Sequence, residues 1–374
     1  MSSSDIKNDS TGLWKDEVNR RLVERFADEI AAVYSKFSRD SFIDEVFDKS
    51  FQTLELKQRI DRIANCLGSR LPLDFKQTAA IIVKLAPKLR GFGNWILTRV
   101  VEERGRGHFD LGMKTLRELT KHGSSEFAVR SFVKANPERA LKIMTRWARD
   151  KNEHVRRLAA EGSRPRGVWV AHIEAFREDP GPVIELIDLL RDDPSLYVRK
   201  AVANNLNDIS RDHPDRAIAT ALCWQKDNSP RTDWIIKHGC RTLIKTGYPP
   251  VFELLGFTPN PRVKVERFDL SPADPIIGAK IGLTLILSSA ARKSQRIVID
   301  YRVTYARPNG RSGLKVFKWS EKELPAGGKL ELVTSLSLRD HSTRKHHPGK
   351  HKIDLMINGV TAATAEFTTR GQGS

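Results

Sequence analysis

"DPGPVIELIDLLRDDPSLYVRKAVANNLNDIS", Asp179–Ser210, sets the architecture of this chain. Val198, Val202, Leu206 and Ile209 recur at three- and four-residue spacing, which gathers them on one side of a helix as core. Lys200, Asn204 and Asp208 line up beside them as a polar row. Asp-Pro steps bound the segment, as expected where helices start and stop. A related unit precedes it, "NPERALKIMTRWARDKNEHVRRLAAEG" (136–162), and another follows, "HPDRAIATALCWQKDNSPRTDWIIKHGCRTLIKTG" (213–247). Pro137 lies 43 residues before Pro180, Val155 lies 43 before Val198, and Pro214 lies 35 before Pro249. Helix pairs at that period describe a HEAT-like stack, in which each pair buries its apolar stripe against its neighbours. The second helix of each pair is expected to line a concave face.

Beyond Gly256–Pro261 the period changes. "KIGLTLILSS", "RIVIDYRVTYA", "LKVFKWS", "KLELVTSLSL" and "HKIDLMING" are short β-branched runs separated by turns such as "RPNGRSG" and "PAGG". Such strands point to an antiparallel β-sandwich of immunoglobulin-like shape. The expected fold is therefore mostly α: a HEAT-like α-solenoid over residues 1–257, then the sandwich over 258–374.

Charge narrows the partner. Of the 64 Lys+Arg and 46 Asp+Glu, 20 and 10 lie from Thr258 onward, so this shorter part carries +10 of the net +18. A surplus of that size argues for a polyanion, nucleic acid first among them. The chain's opening has no apolar leader core and no run approaches a membrane span, so no membrane association is expected. Cys66, Cys223 and Cys240 are odd in number and widely spaced, which fits a reducing cytoplasm and offers neither a disulfide framework nor a zinc site.

Against this basic background the acids stand out. Arg157 and Glu161 form a row like that of Lys200, Asn204 and Asp208, whereas Lys237, Arg241 and Lys245 form one without an acid. A cation and an acid four residues apart are ordinarily a surface pair worth a few tenths of a kcal/mol. Here the cation comes first, the poorer order. Glu161 is also followed at once by Gly162 and the "SRPR" loop, whose Arg164 and Arg166 could reach phosphates. Acids inside a phosphate-binding surface are a liability for a protein that only binds. They suit one that removes a cationic N-alkylated base, because that base leaves as a neutral group. The site then needs negative charge near the oxocarbenium-like sugar, a carboxylate to orient or deprotonate water, and an aromatic face.

"EFAVRSFVKANPERAL", "VRRLAAEGSRPR", "LYVRKAVANNLNDISRDHP" and "WIIKHGCRTLIKTG" resemble the DNA alkylation repair glycosylases of the AlkC/AlkD superfamily. The β-rich C-terminal part makes the likeness closer to the AlkC branch. The resemblance is strongest over about residues 120–257. It implies a bacterial, cytoplasmic enzyme working at the nucleoid as a monomer on duplex DNA, with no metal or diffusible cofactor. Its implied reaction is monofunctional removal of 3-methyladenine, 3-methylcytosine and 1-methyladenine. Carried over to this chain, the matching groups are Glu126, Glu161, Asp208 and Trp169. Asp208 and Glu161 are expected to face the sugar and water, Glu126 to support them, and Trp169 to pack on the sugar or lesion. Arg157, Arg164, Arg166, Lys200, Asn204, Lys237 and Arg241 are expected on DNA. Where the superfamily reads Leu-Pro-Trp, this chain has Gly167-Val168-Trp169, so a looser loop is expected before the indole.

"RDHSTRKHHPGKH" (339–351) is expected to be a phosphate-contacting loop through Arg344, Lys345, His346 and Lys350; adjacent histidines without a cysteine make a poor metal site. Trp147, Trp224 and Trp234 sit in apolar helix patterns and are expected in the core. Two rival readings remain. A HEAT-repeat clamp that only holds nucleic acid would line its concave face with cations alone. A protein scaffold would leave the basic sandwich unexplained and bind DNA feebly at physiological salt.

Overall fold

The computed structural model describes residues 14–167, 169–308, 311–340 and 345–371. Among them are sixteen α-helices: α1 (Arg20–Val33), α2 (Arg39–Val46), α3 (Leu56–Arg70), α4 (Phe75–Leu85), α5 (Phe92–Arg104), α6 (Phe109–Leu119), α7 (Glu126–Ala135) and α8 (Pro137–Trp147). Then come α9 (Glu153–Gly162), α10 (Glu174–Glu178), α11 (Gly181–Asp188), α12 (Leu196–Asp212), α13 (Pro214–Gln225), α14 (Pro230–Gly239), α15 (Arg241–Thr246) and α16 (Pro249–Leu254). No helix among the described residues is long and apolar enough to cross a membrane. The chain divides into two compact units. One runs up to His213 and includes Trp224–Gly239; the other comprises Pro214–Cys223 and everything from Cys240.

In the first unit the periodicity of the 179–210 stretch plays out as read. Val198, Val202, Leu206 and Ile209 of α12 are each at most 1% exposed. α12 packs against α9 on one side and α14 on the other, and the preceding helices α8 and α11 touch each other. The result is a two-layered stack of helix pairs. Local chemistry starts the helices: the Asn136 side chain accepts from the Arg139 N–H with Pro137 in the first turn, and Asn152 accepts from the His154 N–H. α9 closes on Gly162, where a Cβ would come within 2.7 Å of Val129 Cγ1 and 3.0 Å of Met144 Cε. Glycine there lets α9 lie close to α7 and α8.

Among its described residues the second unit holds seven strands: β1 (Val263–Ser271), β2 (Lys280–Ser289), β3 (Gln295–Ala306), β4 (Ser312–Leu324), β5 (Lys329–Ser337), β6 (Gly349–Ile357) and β7 (Val360–Thr369). They form a three-stranded sheet, β1-β2-β5, and a four-stranded sheet, β4-β3-β6-β7, antiparallel throughout. Alternate residues Ile281, Leu283, Leu285 and Leu287 of β2 are fully buried, as are Ile297, Ile299 and Val303 of β3. This is the expected sandwich. The strands that the pattern did not announce, β1 and β7, are both sheet edges. β1 carries Lys264, Glu266, Arg267 and Asp269, and β7 is built mainly of Ala and Thr. Edge strands bury one side only and tolerate such residues.

Helices α15 and α16 belong to the strand-bearing unit, although helix gives way to strand only between Leu254 and Val263. Arg296 of β3 fastens the chain just past α16. Its guanidinium donates to the Leu255 carbonyl at 2.8 Å and lies 4.7 Å over Phe257, while its own carbonyl accepts from the Thr258 N–H at 2.9 Å.

Asp300 of β3 is 4% exposed, and burial pushes its carboxyl up to about 6, with Lys318 and Lys245 opposing. A folded value above the unfolded one means the unfolded chain loses this proton first. Stability should therefore fall as pH rises from about 4 to about 6 and stay lower above it. Asp300→Asn is expected to remove that fall and to stabilise the protein at pH 7 by about 2 kcal/mol. Urea unfolding of both proteins across pH 4–7.5 checks this, and an Asn variant no more stable at pH 7 would refute it.

Candidate active site

The site grows from the turn after α9. Arg157 and Glu161 project from one face of α9, Glu126 opens α7 beside it, and Asp208 comes from α12 on the other side. Four ion pairs join them in series. Glu126 Oε2 is 2.6 Å from Arg157 Nη2, and that nitrogen is 3.7 Å from Glu161 Oε2. Glu161 Oε1 accepts from Arg164 Nη1 at 2.5 Å, and Arg164 Nε donates to Asp208 Oδ2 at 2.7 Å. Side-chain exposure falls along the series, 25% at Glu126, 15% at Arg157, 11% at Glu161, 9% at Arg164 and 5% at Asp208. The structure thus brings the three expected carboxylates together, graded from rim to interior. The i,i+4 contact between Arg157 and Glu161 is the longest link, so the row is not an ordinary helix-surface pair.

Electrostatics hold the series in place. Burial opposes charge on Arg164, but the Asp208 hydrogen bond and the charges of Glu161 and Asp208 outweigh it and keep the guanidinium above its ordinary value. Arg157 is likewise opposed by burial and raised by Glu126 and Glu161. The Arg157 guanidinium also lies 4.9 Å over the Tyr197 ring and donates to Ser124 Oγ at 2.9 Å, while Ser124 Oγ donates to Glu126 Oε2 at 3.0 Å. Asn205, fully buried on α12, donates to the Ala160 carbonyl at 2.9 Å and to Ser163 Oγ at 3.0 Å. It ties the end of α9 to the helix that carries Asp208. Tyr197, Ser124 and Asn205 went unassigned in the sequence. Asn205 sits one place from the polar row, but nothing in the string shows which way its amide turns.

Trp169 is 76% exposed. It borders a cavity of about 600 Å³ with Trp95, Phe127, Asp61, Arg99 and Glu102. The Trp95 and Phe127 rings lie 5.1 Å apart, and Arg99 is paired with both Asp61 and Glu102. None of Glu126, Glu161 and Asp208 lines this cavity.

The expected DNA-contacting residues have varied settings. Arg164 and Arg166 do not reach outward from a loop. Arg164 serves the carboxylates, and Arg166 makes two bonds to Asp212, at 2.8 and 2.5 Å. Those bonds, with others from Arg177, hold the Asp212 carboxyl below its usual range. Lys200 and Asn204 are half-buried on α12, and Lys237 is exposed on α14. Arg241 opens α15, a separate helix after the break at Cys240, so Lys237, Arg241 and Lys245 do not share one helix. In the second unit Lys345 and Lys350 are exposed. His346 is 6% exposed, its N–H bonded to the Asp340 carboxylate at 2.8 Å and its ring 5.2 Å from Tyr305. Arg344 lies outside the described residues. Trp147 and Trp224 are core, and Trp234 stacks on His238. Among the described residues no group of three or more His, Cys, Asp or Glu is arranged to hold a metal.

Residues 120–233 match the family described as DNA alkylation repair enzyme, and residues 264–371 match the C-terminal Ig-like domain of the uncharacterised protein YhaZ. The chain is 33% identical to the uncharacterized protein YhaZ of Bacillus subtilis (strain 168) across 94% of this chain and 98% of that one. Its structure is similar to that of the Pseudomonas fluorescens alkylpurine DNA glycosylase AlkC, solved bound to DNA containing an abasic site analog. The TM-score is 0.90 and the identity 37%, over 95% of this chain and 99% of that one.

Proposed function

The chain belongs to the DNA alkylation repair enzyme family, in the branch with a C-terminal Ig-like domain, and on that premise we propose how it works as an alkylated-base DNA glycosylase. Its substrates are cationic N-alkylated bases in duplex DNA: 3-methyladenine, 3-methylcytosine and 1-methyladenine. It acts as a monomer in the cytoplasm at the nucleoid, without a metal or diffusible cofactor. The observation that carries this reading is the series Glu126–Arg157–Glu161–Arg164–Asp208. Three carboxylates converge in a strongly basic protein, where a passive DNA clamp would present cations alone.

The electron pair of the C1′–N bond leaves with the alkylated base, which departs neutral. Positive charge then develops on the sugar. Glu161 and Asp208 stabilise that charge, and one of them takes a proton from the water whose oxygen bonds to C1′. Arg164 and Arg157 hold the carboxylates in position through the ion pairs of the series. Glu126 supports the outer end through Arg157. The exposed indole of Trp169 meets the cationic sugar or base, an interaction worth about 0.5–2 kcal/mol. Lys200, Asn204, Lys237, Arg241, Lys345 and Lys350 contact the backbone phosphates, which makes binding steeply salt-dependent.

Incubating the pure protein with methylated duplex DNA tests the reading. Free methylated bases and new abasic sites are expected to appear together over time, without strand cleavage. DNA that is bound but releases no base would leave a non-catalytic HEAT-repeat clamp, the rival reading.

A further inference from the structure

Arg130 is a buried cation to which the reaction above gives no part. It sits one turn after Glu126 on α7 and is 4% exposed. Among the described residues it makes no ion pair. Its guanidinium bridges two backbone carbonyls: Nη1 donates to Arg164 O at 2.7 Å and Nη2 to Ala171 O at 3.1 Å. Nε is buried without a hydrogen-bond partner. Burial and the nearby Arg164 charge lower this guanidinium to about 10, so it stays charged at neutral pH. An arginine left in such a place is costly unless its geometry is needed.

That geometry concerns the segment carrying Trp169. Arg164 and Ala171 stand seven residues apart, and their carbonyls are drawn onto one rigid fork. The Ile173 N–H closes the same segment by donating to Pro165 O at 3.0 Å. The segment passes so close over the fork that a Cβ on Gly167 would lie 3.1 Å from Arg130 Cζ and 2.3 Å from Val170 Cγ2. Glycine stands where no side chain fits. Two residues on, Trp169 takes φ +62, a conformation that a bulky residue holds only when its surroundings impose it. One jaw of the clasp is therefore Arg164, which holds Glu161 and Asp208. The other is Ala171, two residues past the indole.

We propose that Arg130 is a positioning residue for base excision: by clasping Arg164 and Ala171 it places the Trp169 indole and the Glu161–Asp208 carboxylates in one fixed frame. The inference rests on the glycosylase reading and adds a residue to it. Loop shape then follows from a buried fork in α7.

The test uses the full chain with Arg130→Met, Arg130→Lys and Gly167→Ala, each assayed for single-turnover base release, duplex affinity and iodide quenching of Trp169. The quenching is read as the difference from a Trp169→Phe background. Misplacement by about 1 Å can cost roughly 100-fold in rate, so release is expected to fall about 10- to 100-fold in all three variants. Duplex affinity should stay within about threefold, since phosphate contacts are untouched. Trp169 quenching should change in each. Lysine keeps the charge but lacks the planar two-nitrogen fork that fixes the spacing of the two carbonyls, so it should rescue at most in small part. If Arg130→Met does not fold, Gly167→Ala decides, because it disturbs the clasp with the arginine in place. Wild-type release in a folded variant, parallel loss of rate and affinity, or full rescue by lysine would each overturn the proposal. A wild-type protein inert on every alkylated duplex would overturn the glycosylase reading instead. The clasp would then stand or fall on the Trp169 quenching alone.

Discussion

Asp208→Asn and Glu161→Gln, made singly in the full chain, are expected to lower base release by about 10²–10⁴-fold, the range for losing a positioned acid–base group, while duplex affinity stays nearly unchanged. Both substitutions preserve size and leave an oxygen to accept from Arg164, so the fold should tolerate them. What disappears is negative charge at the buried end of the series, where exposure is 11% at Glu161 and 5% at Asp208. In so dry a place a fixed charge acts on a developing sugar cation far more strongly than it would in water. Because Arg164 binds both acids, the two losses should not add, and the double variant should release base about as slowly as the worse single one. Single-turnover release and gel-shift affinity, measured side by side, settle it. Release that survives both substitutions, or affinity that collapses with it, would remove the carboxylates from the reaction.

Arg164→Met is expected to produce the largest loss of stability, about 3–5 kcal/mol, the usual cost of stranding a buried ion-pair partner. Methionine fills most of the arginine's volume, so the effect isolates charge. It leaves Asp208 and Glu161 buried without the guanidinium that both of them bind, Arg157 standing 3.7 Å from Glu161. Lys142→Met is the contrast. Lys142 meets Glu138 at 2.6 Å, a shorter contact than Arg164 makes with Asp208, yet the two side chains are 73% and 80% exposed. Water and salt screen that pair, and its loss should leave the urea midpoint where it was. The difference between the two variants at constant m-value is the measurement. An Arg164→Met protein as stable as Lys142→Met would mean the series is not stabilised as described.

The stacked helices were legible because burial leaves a period in the sequence: Val198, Val202, Leu206 and Ile209 alternate with polar residues whichever partner helix they meet. Strands β2 to β6 were legible for the same reason. β1 and β7 were not, since β1 is dense in charged residues and β7 in Ala and Thr, so their letters resemble a loop, whereas the edges β4 and β5 keep enough apolar residues to show. The lysine–arginine row at 237, 241 and 245 failed differently. Its period runs through Gly239-Cys240 unbroken, and no proline marks the end of α14. For the candidate site, Glu126, Glu161, Asp208 and Trp169 could be proposed from their motifs, but their partners could not. Arg164 and Arg166 read equally well as phosphate ligands, and only the packing of α12 against α9 puts Asp208 within 2.7 Å of Arg164 Nε.

The order of residues alone establishes a helical repeat, a following β-sandwich, a basic surface and the acids that break it, because these follow from hydrophobic period and charge count, which are local or additive. Which arginine neutralises which carboxylate, and how the indole loop is held, depend on side chains that lie 31 to 44 positions apart in the chain at Glu126–Arg157 and Arg164–Asp208. Those distances close only when the helices stack. In a chain with 64 cations and 46 anions, too many pairings are open until packing leaves one.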